Sequence, residues 1–121
     1  MSSILAIRGA TQVDRDDPEL VLQSVAELLS EIMSANELCV DAFISVLFTA
    51  TPDLTSEFPA VGARSIGFGA VPLICASEIA VPGAMPRVIR LLAHVESSKS
   101  RSEVKHIYLH GAVALRKDLA Q

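Results

Sequence analysis

The feature that most constrains the fold is an amphipathic stretch in the first third of the chain. Over residues 18–35, apolar side chains recur three and four positions apart, which places them on one face of an α-helix. An aspartate of the pair Asp16-Asp17 can accept hydrogen bonds from the free N–H groups of the first turn, and Pro18 suits the first helical position. We therefore predict a helix over 18–35 that stops at Asn36, and another layer must cover its apolar face.

Five apolar stretches predict the strands that can supply this second layer. They are 4–10, 42–50, 71–76, 88–96 and 104–109. The stretch 88–96 also fits a helix, but its strict alternation favours a strand with Arg90 and His94 on the wetter face. Residues 58–66 predict a short helix, and residues 97–102 a polar loop. About five strands with two or three helices, and no internal repeat or linker, predict one α+β domain over residues 1–121.

The composition limits the partners that such a domain can have. Half of the 121 residues are apolar, and a domain of this size buries only part of its surface, so the excess favours a subunit interface in a homo-oligomer. The net charge is −4, and no basic stretch is long enough to follow a phosphate backbone. These features argue against nucleic acid as a partner.

The same composition indicates where the protein resides. No apolar run approaches the roughly 20 residues of a membrane span, and the N-terminus lacks the pattern of a signal peptide. Cys39 and Cys75 are too few for a disulfide scaffold, so a reducing compartment fits. We expect a cytoplasmic protein that does not bind membranes.

Motifs for cofactor, metal and nucleophile chemistry are almost absent. The chain has no P-loop, no G-x-G-x-x-G, no G-x-S-x-G and no H-E-x-x-H. His106 and His110 would share a metal only on a helix, whereas a strand would separate them by about 13 Å along its rise. We expect neither a metal nor a cofactor.

Arginines in apolar surroundings are more informative. Arg8, Arg90 and Arg116 each lie in or beside an apolar stretch, where a charge is costly unless it is paired or lines a wet cavity. One such arginine is more often a structural ion pair or a snorkelling side chain. Three of them favour a shared site for a small anion, because the planar guanidinium binds a carboxylate with two donors. Glu78 could pair with one of them or accept a substrate hydroxyl.

These residues belong to a set of short motifs that resembles a known family, the monofunctional trimeric chorismate mutases of the AroH class. The resemblance covers nearly the whole chain and depends on the order and spacing of the motifs. The motifs are Arg8-Gly9-Ala10-Thr11, Asp14-Arg15-Asp16, Ala50-Thr51-Pro52-Asp53-Leu54, Phe58-Pro59-Ala60 with Arg64, Val71-Pro72 with Cys75 and Glu78, Ile89-Arg90, His106 to Tyr108, and Leu115-Arg116. The chain departs from the family pattern at Val61 and Ile74, where lysine and threonine are common.

The resemblance implies a role for each of these side chains. Arg90 would face the ether oxygen of the breaking bond, Arg8 would bind the side-chain carboxylate, and Glu78 would accept the ring hydroxyl. Three further residues would contact the substrate near these positions: Phe58, Cys75 and Tyr108. Three more would close the pocket: Arg64, Leu115 and Arg116. The family is a homotrimer with a pseudo-barrel assembly and sites between subunits, and its substrate and product are chorismate and prephenate.

The implied reaction agrees with the missing motifs. A pericyclic rearrangement breaks one carbon–oxygen bond as it forms one carbon–carbon bond, and it requires no proton transfer, nucleophile, metal or redox partner. Two other interpretations stay open. The first is an imine or enamine deaminase of the YjgF type, which has a similar trimer and also binds carboxylates with arginine. The second is a non-catalytic sensor of an aromatic metabolite.

Overall fold

The computed structural model describes residues 2–115 and contains a mixed five-stranded sheet. The strands are β1 (Ser3–Gln12), β2 (Phe43–Ala50), β3 (Leu73–Ser77), β4 (Val88–Ser97) and β5 (Ile107–Leu109). They lie in the order β3-β2-β4-β1-β5. β4 is antiparallel to β1 and β2, whereas β1 with β5 and β2 with β3 are parallel pairs. The predicted α+β class with a mixed sheet is confirmed.

Two α-helices pack against this sheet, α1 (Pro18–Asn36) and α2 (Pro59–Arg64). The predicted start of α1 is confirmed, because the Asp17 carboxylate accepts a hydrogen bond from the Leu20 N–H at 3.2 Å. The predicted stop is one residue early. Glu37 caps the helix in a left-handed conformation with φ of 55°. Asn36 remains helical, and its side-chain amide donates to the Ile32 carbonyl of the same helix at 3.0 Å.

The two helices cover one face of the sheet. Their apolar side chains join the inward positions of all five strands in one core. Gly9 marks the closest approach, since a Cβ there would lie 2.9 Å from Ile32 Cδ1 and 3.3 Å from Leu28 Cδ1 of α1. The largest fully buried side chains are Phe48, Phe68, Ile7, Leu28, Leu29, Ile32 and Ile89. Successive side chains of a strand point to opposite faces of the sheet, so the buried strand residues identify which of their neighbours lie on the other face.

The opposite side of the sheet carries no α-helix among residues 2–115, and we call it the open face. Paired positions place these residues on it: Ile4, Ala6, Arg8 and Ala10 of β1, Ser45, Leu47 and Thr49 of β2, Ile74 and Ala76 of β3, Arg90, Leu92 and His94 of β4, and Tyr108 of β5. Ile4 is 66% exposed and Ile74 is 64% exposed. The open face is therefore apolar at its edges and charged near its centre.

The last predicted strand is wrong in its first half. We predicted 104–109, but β5 contains only Ile107–Leu109. The Lys105 N–H donates to Asn36 Oδ1 at 2.8 Å, and the Lys105 carbonyl accepts from Asn36 Nδ2 at 2.9 Å. The amide of Asn36 thus takes the place of a neighbouring strand, and sheet pairing begins only after it. The predicted loop over 97–102 also gains a short 3₁₀ turn, Arg101–Glu103.

Candidate active site

The centre of the open face carries a row of residues in register across four strands. Arg90 of β4 pairs with Thr49 on one side and with Ala10 on the other, and Ala10 pairs with Tyr108 of β5. Ala10, which has only a methyl group and is fully buried, separates the two large side chains. Arg90 and Tyr108 therefore lie on either side of Ala10 in one row.

Arg90 is held by Glu78, the residue that follows β3. Arg90 Nε donates to Glu78 Oε2 at 3.0 Å, and the hydroxyl of Thr49 donates to the same oxygen at 2.6 Å. The Glu78 N–H donates in turn to the Ala50 carbonyl at 2.9 Å. The Glu78 side chain is only 16% exposed, whereas that of Arg90 is 45% exposed. This pair fixes one edge of the guanidinium and leaves its other N–H donors available to an anion.

Arg8 lies on the same face, two residues before Ala10 and therefore diagonal to Arg90. It lines a cavity of about 400 Å³ that includes Leu92, His94, Arg101 and His106. The Arg8 N–H donates to His106 Nδ1 at 2.9 Å, which ties β1 to the segment before β5. Two arginines thus face the same side of the sheet, as the sequence predicted, but Arg8 points into a cavity of its own.

Phe58 and Cys75 lie elsewhere. Both line a cavity of about 460 Å³ between the residues after β2 and the end of β3. Cys75 pairs with Phe48 and packs against the core, so it belongs to the helix-covered side of the sheet, and Arg90 belongs to the open face. Phe58 is 68% exposed at the start of α2. A single chain therefore brings these two residues together but does not bring them to Arg90.

The remaining predicted pocket residues lie at different places in one chain. Arg64 is exposed at the end of α2, and Tyr108 is half-buried on the open face. Leu115 is half-buried and ends the final 3₁₀ turn, His110–Leu115. Arg116 lies outside the described residues. A site built from all of these side chains requires contributions from more than one surface of the protein.

The junction before β4 contains Arg87, which the sequence analysis did not single out, and it joins Arg87 to Asp53 of the motif Ala50 to Leu54. Arg87 has φ of 54° although it is not glycine, and this left-handed conformation costs an ordinary residue about 1–2 kcal/mol. Both oxygens of the Asp53 carboxylate accept from the Arg87 N–H, at 3.2 and 3.0 Å. Arg87 Nε donates to the Val13 carbonyl at 2.8 Å. The conformation of Arg87 is thus imposed by contacts on both sides.

A second carboxylate holds the loop that carries Phe58. Asp16 accepts from the Thr55 N–H at 3.1 Å, from the Thr55 hydroxyl at 3.0 Å and from the Ser56 N–H at 3.1 Å. Hydrogen bonds from Ser56 and Thr55 hold the pKa of the Asp16 carboxyl below its ordinary value of 3.8. The sequence analysis treated Asp16 as a helix-start residue and as part of the motif Asp14-Arg15-Asp16, and it did not predict these bonds. Thr49, which it missed, was visible only as a polar residue in an apolar strand.

The two histidines of the metal hypothesis are far from a shared site. His106 accepts from the Arg8 N–H, and His110, outside β5, forms a hydrogen bond with the Glu27 carboxylate at 2.9 Å. Over residues 2–115, no group of three or more His, Cys, Asp or Glu side chains is arranged to hold a metal ion.

Comparisons with known proteins agree with this geometry. Residues 4–119 match the family model of chorismate mutase type I. The chain belongs to this family. It is 46% identical over 117 residues to chorismate mutase AroH of Thermus thermophilus, a match that covers 96% of each chain. It is 37% identical over 118 residues to chorismate mutase AroH of Bacillus subtilis (strain 168), covering 97% of this chain and 93% of that one.

A comparison with solved structures also points to the chorismate mutases. A solved chorismate mutase from Clostridium thermocellum superposes with a TM-score of 0.89 at 40% identity, covering 91% of this chain and 98% of that chain. The family resemblance noted in the sequence is therefore confirmed, and these relatives are chorismate mutases rather than imine or enamine deaminases.

Proposed function

We propose that the protein is a chorismate mutase that rearranges chorismate to prephenate in phenylalanine and tyrosine biosynthesis, without a cofactor. One observation carries the proposal: the guanidinium of Arg90 is fixed on the open face by Glu78 at 3.0 Å, in a chain of the type I family. Arg90 is at the centre of the sheet, and its position is set by strand pairing on both sides.

The reaction requires a fixed cation of this kind. Breaking of the carbon–oxygen bond runs ahead of formation of the carbon–carbon bond, so negative charge builds on the ether oxygen. A guanidinium that is already in place stabilises this charge more in the transition state than in the substrate. Fixed donors of this type contribute about 3–4 kcal/mol each. Arg90 supplies that donor, and Glu78 balances the positive character that develops on the ring.

The second contribution is conformational. Chorismate must fold its enolpyruvyl arm over the ring, and binding of its carboxylate can hold this conformer. Arg8 would bind this carboxylate, and Tyr108 lies near it on the same face of the sheet. The diagonal position of Arg8 relative to Arg90 on the same face of the sheet supports the assignment.

We infer that the site is completed between subunits of a homotrimer. Arg8, Glu78, Arg90 and Tyr108 belong to the open face. A second group, Phe58, Arg64 and Cys75, would come from a neighbouring subunit, with Leu115 and Arg116 closing the pocket. Support comes from the large apolar side chains on the open face, which would be costly to leave in water. A molar mass of one chain in analytical ultracentrifugation would contradict this arrangement.

We also propose that the whole chain is one chorismate mutase domain, which the family match over residues 4–119 supports, and that the protein works in the cytoplasm. Over residues 2–115, no helix is both long and apolar enough to cross a membrane.

The activity is tested by mixing the purified protein with chorismate and following the loss of its ultraviolet absorbance. We expect rapid loss with prephenate as the product. A folded oligomer that leaves chorismate unchanged would contradict the proposal. Tight binding without turnover would indicate the sensor, and release of ammonia from an imino acid would indicate a deaminase.

A further inference from the structure

The residue before β4 is held in an unfavourable conformation at three points. Arg87 is left-handed, with φ of 54°. Its N–H donates to Asp53, its carbonyl accepts from the Val13 N–H at 2.8 Å, and its Nε donates to the Val13 carbonyl at 2.8 Å. A strained backbone persists only where its surroundings determine it, and such positions are often close to functional groups.

Asp53 belongs to a network that also fixes the first residue of β4. The Thr51 hydroxyl donates to Asp53 Oδ1 at 2.5 Å and accepts from the Val88 N–H at 3.0 Å. The Thr51 N–H donates to the Val88 carbonyl at 3.0 Å. Two successive N–H groups, those of Arg87 and Val88, are therefore bound by the segment that follows β2.

This network lies immediately before Arg90. β4 begins at Val88, so only Val88 and Ile89 separate the strained residue from the guanidinium-bearing residue. The segment between Glu78 and Arg87 contains exposed residues and a left-handed Gly83 with φ of 85°. Strand pairing and the Asp53 network therefore set the direction of β4 at its first residues.

We propose that Asp53 is a positioning residue for Arg90, acting through the backbone of Arg87. The proposal rests on the proposed function, because it assigns Asp53 to the placement of the cation that the rearrangement uses. By holding Arg87 left-handed, the carboxylate fixes the twist with which β4 begins. It thereby fixes the place of the Arg90 guanidinium against Glu78.

The test is steady-state kinetics of the full-length oligomer with chorismate. Asp53→Ala should lower kcat and kcat/KM in parallel, by about 10- to 100-fold, since a shift of about 1 Å in a reacting group has this effect. KM should stay near that of the wild type. Asp53→Asn keeps one acceptor oxygen and should lose less than the alanine variant. Circular dichroism checks that each variant is folded.

Rescue by glycine at position 87 separates positioning from general support of the fold. Glycine adopts a φ near +54° without the Cβ penalty, so it needs Asp53 less. In the Arg87→Gly background, Asp53→Ala should therefore reduce kcat by a factor at least about threefold smaller than in the wild-type background. If Asp53→Ala does not fold, the same comparison with Asp53→Asn decides the question.

Asp41→Ala is the matched control, because Asp41 is an exposed aspartate near the start of β2, whereas Asp53 follows the end of β2 at Ala50. It should turn over chorismate like the wild type. A folded Asp53→Ala variant with wild-type kcat, or an equal loss in both backgrounds, would overturn the proposal. A wild type that does not convert chorismate would instead contradict the proposed function.

Discussion

Glu78→Gln removes the charge next to Arg90 and nearly preserves the shape of the side chain. In the native site, one carboxylate oxygen accepts from Arg90 Nε at 3.0 Å and from the Thr49 hydroxyl at 2.6 Å. The amide oxygen of glutamine can still accept both bonds, but glutamine carries no charge, so it cannot balance the guanidinium or accept a substrate hydroxyl with the same strength. The variant therefore tests whether the ion pair contributes to the chemistry.

The structure sets the size of the effect. A hydrogen bond to a charged group contributes about 1.5–3 kcal/mol. Glu78 is 16% exposed, but Arg90 is 45% exposed, so solvent screening favours the lower part of that range. A loss of about 1.5–2 kcal/mol in transition-state binding corresponds to about a 10- to 30-fold fall in kcat/KM. The free energy of unfolding should change by less than about 1 kcal/mol, because half-exposed ion pairs stabilise little.

The assay is the initial rate of chorismate loss, with urea unfolding of the same preparations. Thr49→Val serves as the graded comparison, because it removes one donor to Glu78 and keeps the charge. It should cost about 1 kcal/mol, or about fivefold in kcat/KM. An unchanged kcat/KM in Glu78→Gln, or a larger loss in Thr49→Val than in Glu78→Gln, would refute the reasoning.

Two further predictions concern the elements that support the site. Gly62→Ala gains about 1 kcal/mol in helix propensity. However, its Cβ would lie 2.9 Å from Leu22 O and from Val25 Cβ, and overpacking of this kind costs about 1–3 kcal/mol. Urea unfolding should show that Gly62→Ala is less stable than the wild type. Gly69→Ala should show no such loss, because nothing lies within 4 Å of a Cβ at that position. A Gly62→Ala variant more stable than the wild type would contradict this. Asp16→Asn tests the lowered pKa of Asp16. The stabilisation by the carboxylate is complete above the ordinary pKa and is lost as the pH falls through the lower, folded-state pKa. The difference in stability between wild type and variant should thus stay constant above about pH 5 and shrink below about pH 4, and a difference independent of pH would be the contrary result.

The elements that the sequence predicted well are those whose stability is local. The helical spacing of apolar residues and the cap at Asp17 predicted α1. The strict alternation of apolar and polar residues predicted β4 and correctly placed Arg90 on its more exposed side. β5 was predicted too long because the apolar Val104 was counted as its first residue. Its backbone partner is Asn36, which lies 69 residues from Lys105 in the chain, and no local pattern reveals such a bond.

Only part of the site could be predicted, because the rest depends on contacts between residues that are distant in the chain. Family resemblance supplied Glu78 and Arg90, and the structure shows them as an ion pair. It did not reveal that Cys75 and Arg90 lie on opposite sides of the sheet, because that depends on the register of β3 against β2. Nor could it reveal the bond from Arg87 to Asp53, since 34 positions separate the two residues and a left-handed arginine has no sequence signature.

Arg90→Ala tests the central claim most directly. We expect a folded oligomer whose kcat for chorismate is lower by at least about a hundredfold, because a fixed donor at the developing charge is lost. Arg90→Lys keeps the charge without the planar fork and should restore activity only in part. A folded Arg90→Ala variant that converts chorismate to prephenate at nearly the wild-type rate would contradict the assignment of Arg90 as the catalytic cation.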